Sequence, residues 1–339
     1  MANAGAENTP RPAPLQINEL LRAEAFEHPV SQLEVRETAI AWVVLTGSLA
    51  YKIKKPVKFD FIDASTLERR LHYCKEELRL NRRLASDLYL DVVPITRVDG
   101  QARVGNGPGL AIEYAVRMKQ FERQQELSSL LQNAEVPVGE IEALAEILGR
   151  FHLGAPCSSW SGVHINTEQM YEAVLGNLSQ LLAYARQLEP LPGLGQLVDW
   201  THDTAPALEA SFQSREQSGF VRECHGDLHS ANIVRYRGRF VPFDCIDFDP
   251  HLRWIDIISD VAFLVMDLVS HDREELASAL LSKYLEVTGD YDGVRLLPFC
   301  AVYRALIRAK VDAIAAEQSP ARATEFRNRL RRRIRTAIH

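Results

Sequence analysis

The sequence predicts an α+β protein in two lobes: a small antiparallel sheet with one main helix, then a larger, mostly helical part. Over residues 33–118, runs rich in β-branched residues alternate with turn residues and are broken by a single helical stretch. Beyond Gln120, apolar residues recur at helical spacing almost to the end. At 339 residues the chain is too long for one minimal core, which favours two lobes. The expected organisation is a disordered leader over 1–30, a sheet lobe over 31–120 and a helical lobe over 121–339.

The first strands are TAIAWVVL and LAYKIKK, which flank Thr46, Gly47 and Ser48 and read as a hairpin. STLERRLHYCKEELRLNRRLASDL follows as a helix with Leu67, Leu71, Leu78 and Leu84 partly on one face, capped by Ser65 or Thr66. VVPITRV, the turn GNGPG and LAIEYAVRM form a second hairpin, giving the order β-β-α-β-β. In the second lobe, VGEIEALAEILGRFHLG, TEQMYEAVLGNLSQLLAYARQL and LGQLVDWTHDTAPALEASFQSR are helices. Strand-like residues return over 221–248 around Arg237-Gly238-Arg239, and helices resume at Trp254.

The charge of -6 argues against nucleic-acid binding. Five cysteines without regular spacing argue against a disulfide framework and for a reducing compartment. The N-terminal stretch has neither a basic n-region nor an apolar h-region. The longest apolar run, WIDIISDVAFLVMDLV, is broken by Asp256, Asp260 and Asp267 and reads as a buried helix, not a membrane span. A cytoplasmic protein without membrane or nucleic-acid partners is the expectation. The basic tail RNRLRRRIR reads as a solvated helix face, with contact to an acidic partner as the alternative, and the sequence leaves a protein partner open.

The densest chemistry lies in CHGDLHSANI, which packs Cys224, His225, Asp227 and His229 together with Asn232 close behind. A hairpin turning at Gly238 sets Asn232 opposite Asp244 and His229 opposite Asp247, so Asp227, Asn232 and Asp247 can converge. Two carboxylates and an amide oxygen suit Mg²⁺; a zinc site would want soft or imidazole ligands, and Cys224 has no CxxC partner. Polar groups satisfying loop backbone are the plain alternative.

HGDLHSAN matches the kinase catalytic pattern H-R-D-L-x-x-x-N at every fixed position but one, with Gly226 in place of arginine, and IDFD follows where a kinase has D-F-G. The chain thereby resembles the aminoglycoside phosphotransferase family, an uncharacterised branch of it, within the protein-kinase-like fold, over residues 33–310. The resemblance implies that Asp227 is the catalytic base and that Asn232 and Asp247 hold Mg²⁺ against the phosphates of ATP or GTP. It makes His225 a scaffold residue, leaves His229 at a position the pattern does not specify, and lets Asp249 add a second ligand or cap the next turn. Asp244 is expected to point away. WIDIISD resembles the family's helix after the loop, where the first aspartate, Asp256, braces the loop.

The resemblance also implies a phosphate-gripping lysine in LAYK, namely Lys52, with Lys54 on the same face as fallback and Lys55 facing away. Glu77 shares a helix face with Leu80 and Leu84 and is a better partner than Glu76. The adenine would find backbone partners near Val116 and Met118. No G-x-G-x-x-G precedes the lysine, so the phosphate-covering turn falls near Arg36, Glu37 and Thr38, without glycine's freedom of approach. No Walker A sequence occurs.

Gly226 removes the arginine that reads a phosphorylated activation loop, and the short distance from Asp247 to Trp254 leaves no room for such a segment. The expected activity is therefore Mg·ATP-dependent phosphate transfer to a hydroxyl of a small molecule such as an aminoglycoside, amino alcohol or sugar. Acids outnumber bases over 151–300, which points toward a cationic substrate or a solvated acidic surface. A pseudokinase or nucleotide-binding regulatory module, and AMP transfer on the same parts, are the alternatives.

Overall fold

A computed structural model describes residues 13–59, 62–133, 136–158, 167–187, 190–318 and 320–338. Its strands are β1 (Glu34–Glu37), β2 (Ala41–Leu45), β3 (Leu49–Lys54), β4 (Lys58–Phe59), β5 (Ile62–Asp63), β6 (Tyr89–Val98), β7 (Gln101–Val104), β8 (Ala111–Lys119), β9 (Val221–Glu223), β10 (Ile233–Tyr236), β11 (Arg239–Pro242) and β12 (Trp254–Asp256). The helices are α1 (Leu67–Ala85), α2 (Leu127–Gln132), α3 (Val138–Gly154), α4 (Thr167–Gln187), α5 (Leu194–Gln217), α6 (Ile257–Ser270), α7 (Glu274–Thr288), α8 (Leu297–Gln318) and α9 (Ala323–Ile338). Two units result: one through Phe121 together with Asp247–Asp249, the other from Glu122 to Ile246 and from Pro250 onward. The α+β class expected from the sequence is the class observed. The three residues Asp247–Asp249 leave the helical part and join the sheet unit.

The first unit is a six-stranded sheet in the order β1-β2-β3-β8-β6-β7. The β2–β3 hairpin turns at Thr46, whose hydroxyl donates to Leu49 O. The second hairpin differs from expectation. β6 turns at Asp99 and Gly100, both with positive φ, into the edge strand β7, and residues 105–110 then carry the chain across to β8 on the other side of β6. GNGPG is thus a crossover, because a left-handed Asp-Gly pair upstream already supplies the tight turn.

On β3, Tyr51 and Ile53 face one side and Lys52 and Lys54 the other. Helix α1, capped by the Thr66 hydroxyl accepting from Arg69 N at 3.3 Å, covers the lysine side. Its leucines 67, 71, 78 and 84 are only half-buried; the buried face is Arg70, Cys74, Glu77, Leu80, Asn81 and Ala85. Ion pairs set this orientation, since Arg70 pairs with Glu113 at 2.8 Å and Glu77 takes the β3 lysines.

The other side of the sheet is covered by residues that the sequence places in a disordered leader. Leu15, Leu20, Ala25 and Phe26 join Tyr51, Ile53, Val93 and Ile95 in one apolar cluster, and Glu19 pairs with Arg97 at 2.6 Å. The proline- and alanine-rich composition of the N-terminus masks this short apolar series. Residues 1–12 lie outside the described residues.

The second unit is helical around one apolar core that includes Leu144, Leu148, Leu228, Ile233, Ile258, Phe263, Tyr284 and Leu306. Two short antiparallel pairs, β9 with β12 and β10 with β11, interrupt it. Among the described residues no helix is long and apolar enough to cross a membrane. All five cysteines are buried, and none of them forms a disulfide.

Leu20 is fully buried. Leu20→Ala is expected to destabilise the protein by about 2–4 kcal/mol in urea unfolding, whereas a leader without tertiary contacts would leave the midpoint unchanged.

Candidate active site

The loop between β9 and β10 is fixed by polar groups from the helices around it. At its start, His225 N and Gly226 N each donate to Asp260 of α6 at 2.9 Å, to Oδ2 and Oδ1 respectively. Asp260 also meets His152 Nε2 at 3.1 Å, and His152 Nδ1 lies 2.7 Å from the Tyr284 hydroxyl. Two turns along α6, Asp267 accepts from Ser230 N at 2.8 Å and pairs with Arg333 at 2.5 Å. Arg304 of α8 donates to Gly226 O at 3.0 Å. Gly226 has φ +85, and a Cβ there would lie 2.7 Å from Leu252 O, so the residue that replaces the kinase arginine is required by backbone geometry.

Within this frame Asp227 is held open. Asn232 Nδ2 donates both to Asp227 O at 3.0 Å and to Asp227 Oδ2 at 2.9 Å. His229 Nδ1 accepts from Ala231 N at 3.2 Å, which leaves Nε2 as the donor nitrogen of the ring, 3.4 Å from Asp227 Oδ2. The Asp227 side chain keeps 34% of its surface exposed. Burial opposes its charge, but His229, Arg308 and His225 outweigh it and hold the carboxyl well below the usual range. His225 is fully buried, with Nε2 2.9 Å from Phe243 O, and burial lowers its pKa, so it stays neutral as part of the frame.

The sheet unit carries a second cluster. Lys52 Nζ lies 2.8 Å from Glu77 Oε1, Lys54 Nζ lies 2.6 Å from Glu77 Oε2, and Lys54 Nζ also lies 2.5 Å from Asp247 Oδ2. Lys54 is only 1% exposed and Glu77 is fully buried. Burial works against the Glu77 carboxylate, yet the two lysines together hold its pKa down at about 2. For Asp247 burial prevails and its pKa rises, the pull of Lys54 notwithstanding. Lys54 stays protonated because Asp247 and Glu77 outweigh its burial. Glu76 turns outward to Arg79 at 2.8 Å, and Lys55 turns away to Glu37 at 2.5 Å.

The expected pair of Lys52 with Glu77 is present at 2.8 Å, and Lys54, the fallback, meets both Glu77 and Asp247. Several other sequence expectations are corrected. Val116 and Met118 lie inside β8, paired on both sides by β3 and β6, so their backbone is engaged; the chain leaves the sheet only after Lys119. Asp256 is not the brace of the loop. It caps α6 through Ile258 N at 2.9 Å and pairs with Arg215 at 2.7 Å, and Asp260 does the bracing. The β10–β11 hairpin has a two-residue turn, Arg237-Gly238, with positive φ at both, so Asn232 lies opposite Phe243 instead of Asp244. Asp244 itself is half-buried with φ +64, which ends the extended run, and Asp249 is half-buried. The turn after Glu37 is an ordinary tight one, with Thr38 N and hydroxyl both donating to Ala41 O.

The residues missed were Asp260, Asp267, His152 and Arg308. The first two had a signal: acids seven apart on an otherwise apolar helix share a face and, when buried, need partners. His152 and Arg308 come from distant helices and left none.

Asn232 and Asp247, taken singly, each carry a donor of the kind a hard divalent cation takes. Asn232 uses its amide nitrogen on Asp227, which leaves the amide oxygen as its remaining group, and Asp247 offers carboxylate oxygen. His152, Cys224 and Asp260 do place ligand atoms within 4.8 Å of one another. Each is engaged, however: His152 by Tyr284 and Asp260, Asp260 by the loop N–H groups, and Cys224 Sγ by Ile255 O at 3.4 Å. That trio braces the loop and is not a zinc centre.

Two outcomes follow. Lys54→Met leaves two buried acids short of a cation and is expected to cost about 3–5 kcal/mol in chemical denaturation, with Lys52→Met costing less. Asp260 has a pKa lowered to about 2 from 3.8, its burial outweighed by His152, so its stabilisation is present above pH 3.8 and is lost as pH falls toward 2. That change is on the order of 2 kcal/mol. Urea midpoints measured between pH 5 and pH 2.5 should show this slope in the wild type and a weaker one in Asp260→Asn.

The chain is 34% identical over 299 residues to uncharacterized proteins of Mycobacterium tuberculosis and Mycobacterium bovis, covering 86% of this chain and 57% of theirs. It thus spans little more than half the length of those curated relatives. Among solved structures it is similar to a choline/ethanolamine kinase family protein from Mesorhizobium loti, at 12% identity and a TM-score of 0.49, over 92% of this chain and 94% of that one. The sequence model of the phosphotransferase enzyme family matches residues 64–297, which take in α1, the loop with Asp227 and Asp247, and the bracing helix α6. The chain belongs to the phosphotransferase enzyme family.

Proposed function

We propose that this chain is a Mg·ATP-dependent phosphotransferase that moves the γ-phosphate to a hydroxyl of a small molecule. The observation that carries the proposal is Asp227, an ionised carboxylate that remains open to solvent on a loop otherwise locked at both ends. Such a group can accept the proton of an attacking hydroxyl without moving its neighbours. Asn232 keeps it aimed through two hydrogen bonds. When bound, the nucleotide supplies the phosphoryl group and Mg²⁺ neutralises charge on the phosphates. Asn232 and Asp247 would hold the metal, and Lys54, steadied by Glu77, would meet the phosphates with Lys52 beside it. GTP in place of ATP would use the same groups.

One observation favours a second reading, a nucleotide-binding module without turnover. The turn at residues 36–40 has no glycine, and Lys55 Nζ lies 2.5 Å from Thr38 O, which ties the turn down. AMP transfer would draw on the same groups and leaves a different mass on the product.

Mg·ATP at a hundred times its dissociation constant is expected to stabilise the wild type by about 2.7 kcal/mol, read as a rise in Tm. Asp227→Asn is expected to keep that rise and lose about 10²–10⁴ in transfer rate on any acceptor found by mass-resolved screening. Binding with no transfer to any acceptor would assign the non-enzymatic reading, and no binding would remove the nucleotide altogether.

A further inference from the structure

We infer that Arg308 recognises an anionic group on the acceptor, so that the alcohol phosphorylated here carries a carboxylate or phosphate close to its reacting hydroxyl. This rests on the phosphotransferase reading and narrows its substrate. Arg308 lies in α8, one turn beyond Arg304, which holds Gly226 O, and so on the face that the helix turns to the loop. Its only hydrogen-bond-distance contact among the described residues is His229 Nε2, 3.3 Å from Nη1. That nitrogen cannot serve as acceptor. Nδ1 already accepts from Ala231 N, so Nε2 bears the proton and is directed at Asp227 Oδ2. A guanidinium donor therefore faces another donor. Arg308 Nε is also buried without a hydrogen-bond partner.

Asp227 feels the charge of Arg308 but no hydrogen bond joins the two, and the other acids nearby are engaged elsewhere. Asp312, one turn further along α8 and well placed for a helical ion pair, pairs with Arg329 at 2.9 Å. Asp267 pairs with Arg333 at 2.5 Å, and Oδ2 of Asp227 already meets Asn232 and His229. Lys310, two residues on, meets only the neutral Asn177 amide oxygen at 3.4 Å. A half-buried guanidinium fork without an acceptor is costly to keep, and its planar donors match carboxylate or phosphate oxygens. Of the acids in the excess over residues 151–300, Asp260 and Asp267, which hold the loop backbone, are themselves paired or hydrogen-bonded.

In the reaction the acceptor oxygen forms a bond to the γ-phosphorus, the bond from that phosphorus to the bridging oxygen breaks, the hydroxyl proton passes to Asp227 and the nucleoside diphosphate leaves. Arg308 touches only the acceptor's second, anionic group. It sits beside the ring that contacts the base, which sets that group near the hydroxyl.

The test uses the full chain and four probes: glycerate and glycerol 3-phosphate as anionic alcohols, glycerol as the neutral one and ethanolamine as the cationic one. Calorimetric binding and phosphate transfer are measured for the wild type, Arg308→Gln and Arg308→Lys, with the Mg·ATP-induced rise in Tm taken on each as a check of fold and nucleotide binding. The wild type is expected to prefer one of the anionic probes over glycerol and ethanolamine. Arg308→Gln should lose about tenfold or more of that preference while keeping the Mg·ATP shift, and Arg308→Lys should retain part of it. The better of the two anionic probes identifies carboxylate or phosphate. The inference is overturned by a wild type that shows no preference for anions, by an Arg308→Gln variant that keeps the preference, or by a loss of Mg·ATP affinity equal to the loss for the acceptor. Failure of the phosphotransferase reading registers separately, as a wild type that Mg·ATP does not stabilise.

Discussion

A carboxylate buried in an apolar helix has to find donors, and in α6 Asp260 finds them in the backbone N–H groups of His225 and Gly226. The rest of the second unit's chemistry follows from this contact. The turn it enforces places Gly226 at a positive φ, which sends the chain out toward Asp227 and back toward Asn232. Asp267 repeats the device two turns later by taking Ser230. The loop is thus pinned at two points on one rigid helix, and only the stretch between the pins is free to present functional groups. His152 and Tyr284 extend the network into α3 and α7, so the loop's position is set by the packing of the whole helical core.

The sheet unit solves a different problem. Two lysines on one face of a strand would repel each other when buried, and Glu77 joins them by giving one oxygen to each. Asp247 completes a set of two positive and two negative charges. A balanced cluster of this kind contributes little net stability, because desolvation offsets most of the attraction. Its value lies in orientation: Lys54 cannot leave without depriving two buried acids of a cation.

Much of this was legible in the residues. The hairpin at Thr46, helix α1 and its cap, and the helical second unit follow from turn chemistry and periodicity. The pattern around Asp227 carried the family, since its polar residues sit at fixed offsets along one loop. What stayed hidden depended on partners far away in sequence. Choosing between Lys52 and Lys54 required knowing where α1 lies over the sheet, and replacing Asp256 with Asp260 required the register of a buried helix against a loop. The β10–β11 register turned on whether Arg237 adopts a positive φ, a conformation that arginine rarely takes. The N-terminal series Leu15, Leu20 and Phe26 was read as unstructured because its composition is that of a tail, although its spacing meets an uncovered sheet face.

The buried thiols carry one more consequence. Cys74 belongs to the sheet unit, beside Glu77 and Lys54, and the other four cysteines belong to the helical unit. Burial pushes the Cys74 and Cys300 thiols up to about 12, so neither reacts while its surroundings stay closed. Alkylation at these positions therefore proceeds only as fast as each unit opens. The native sequence contains its own pair of clocks, one per unit, which can time local unfolding without any added label.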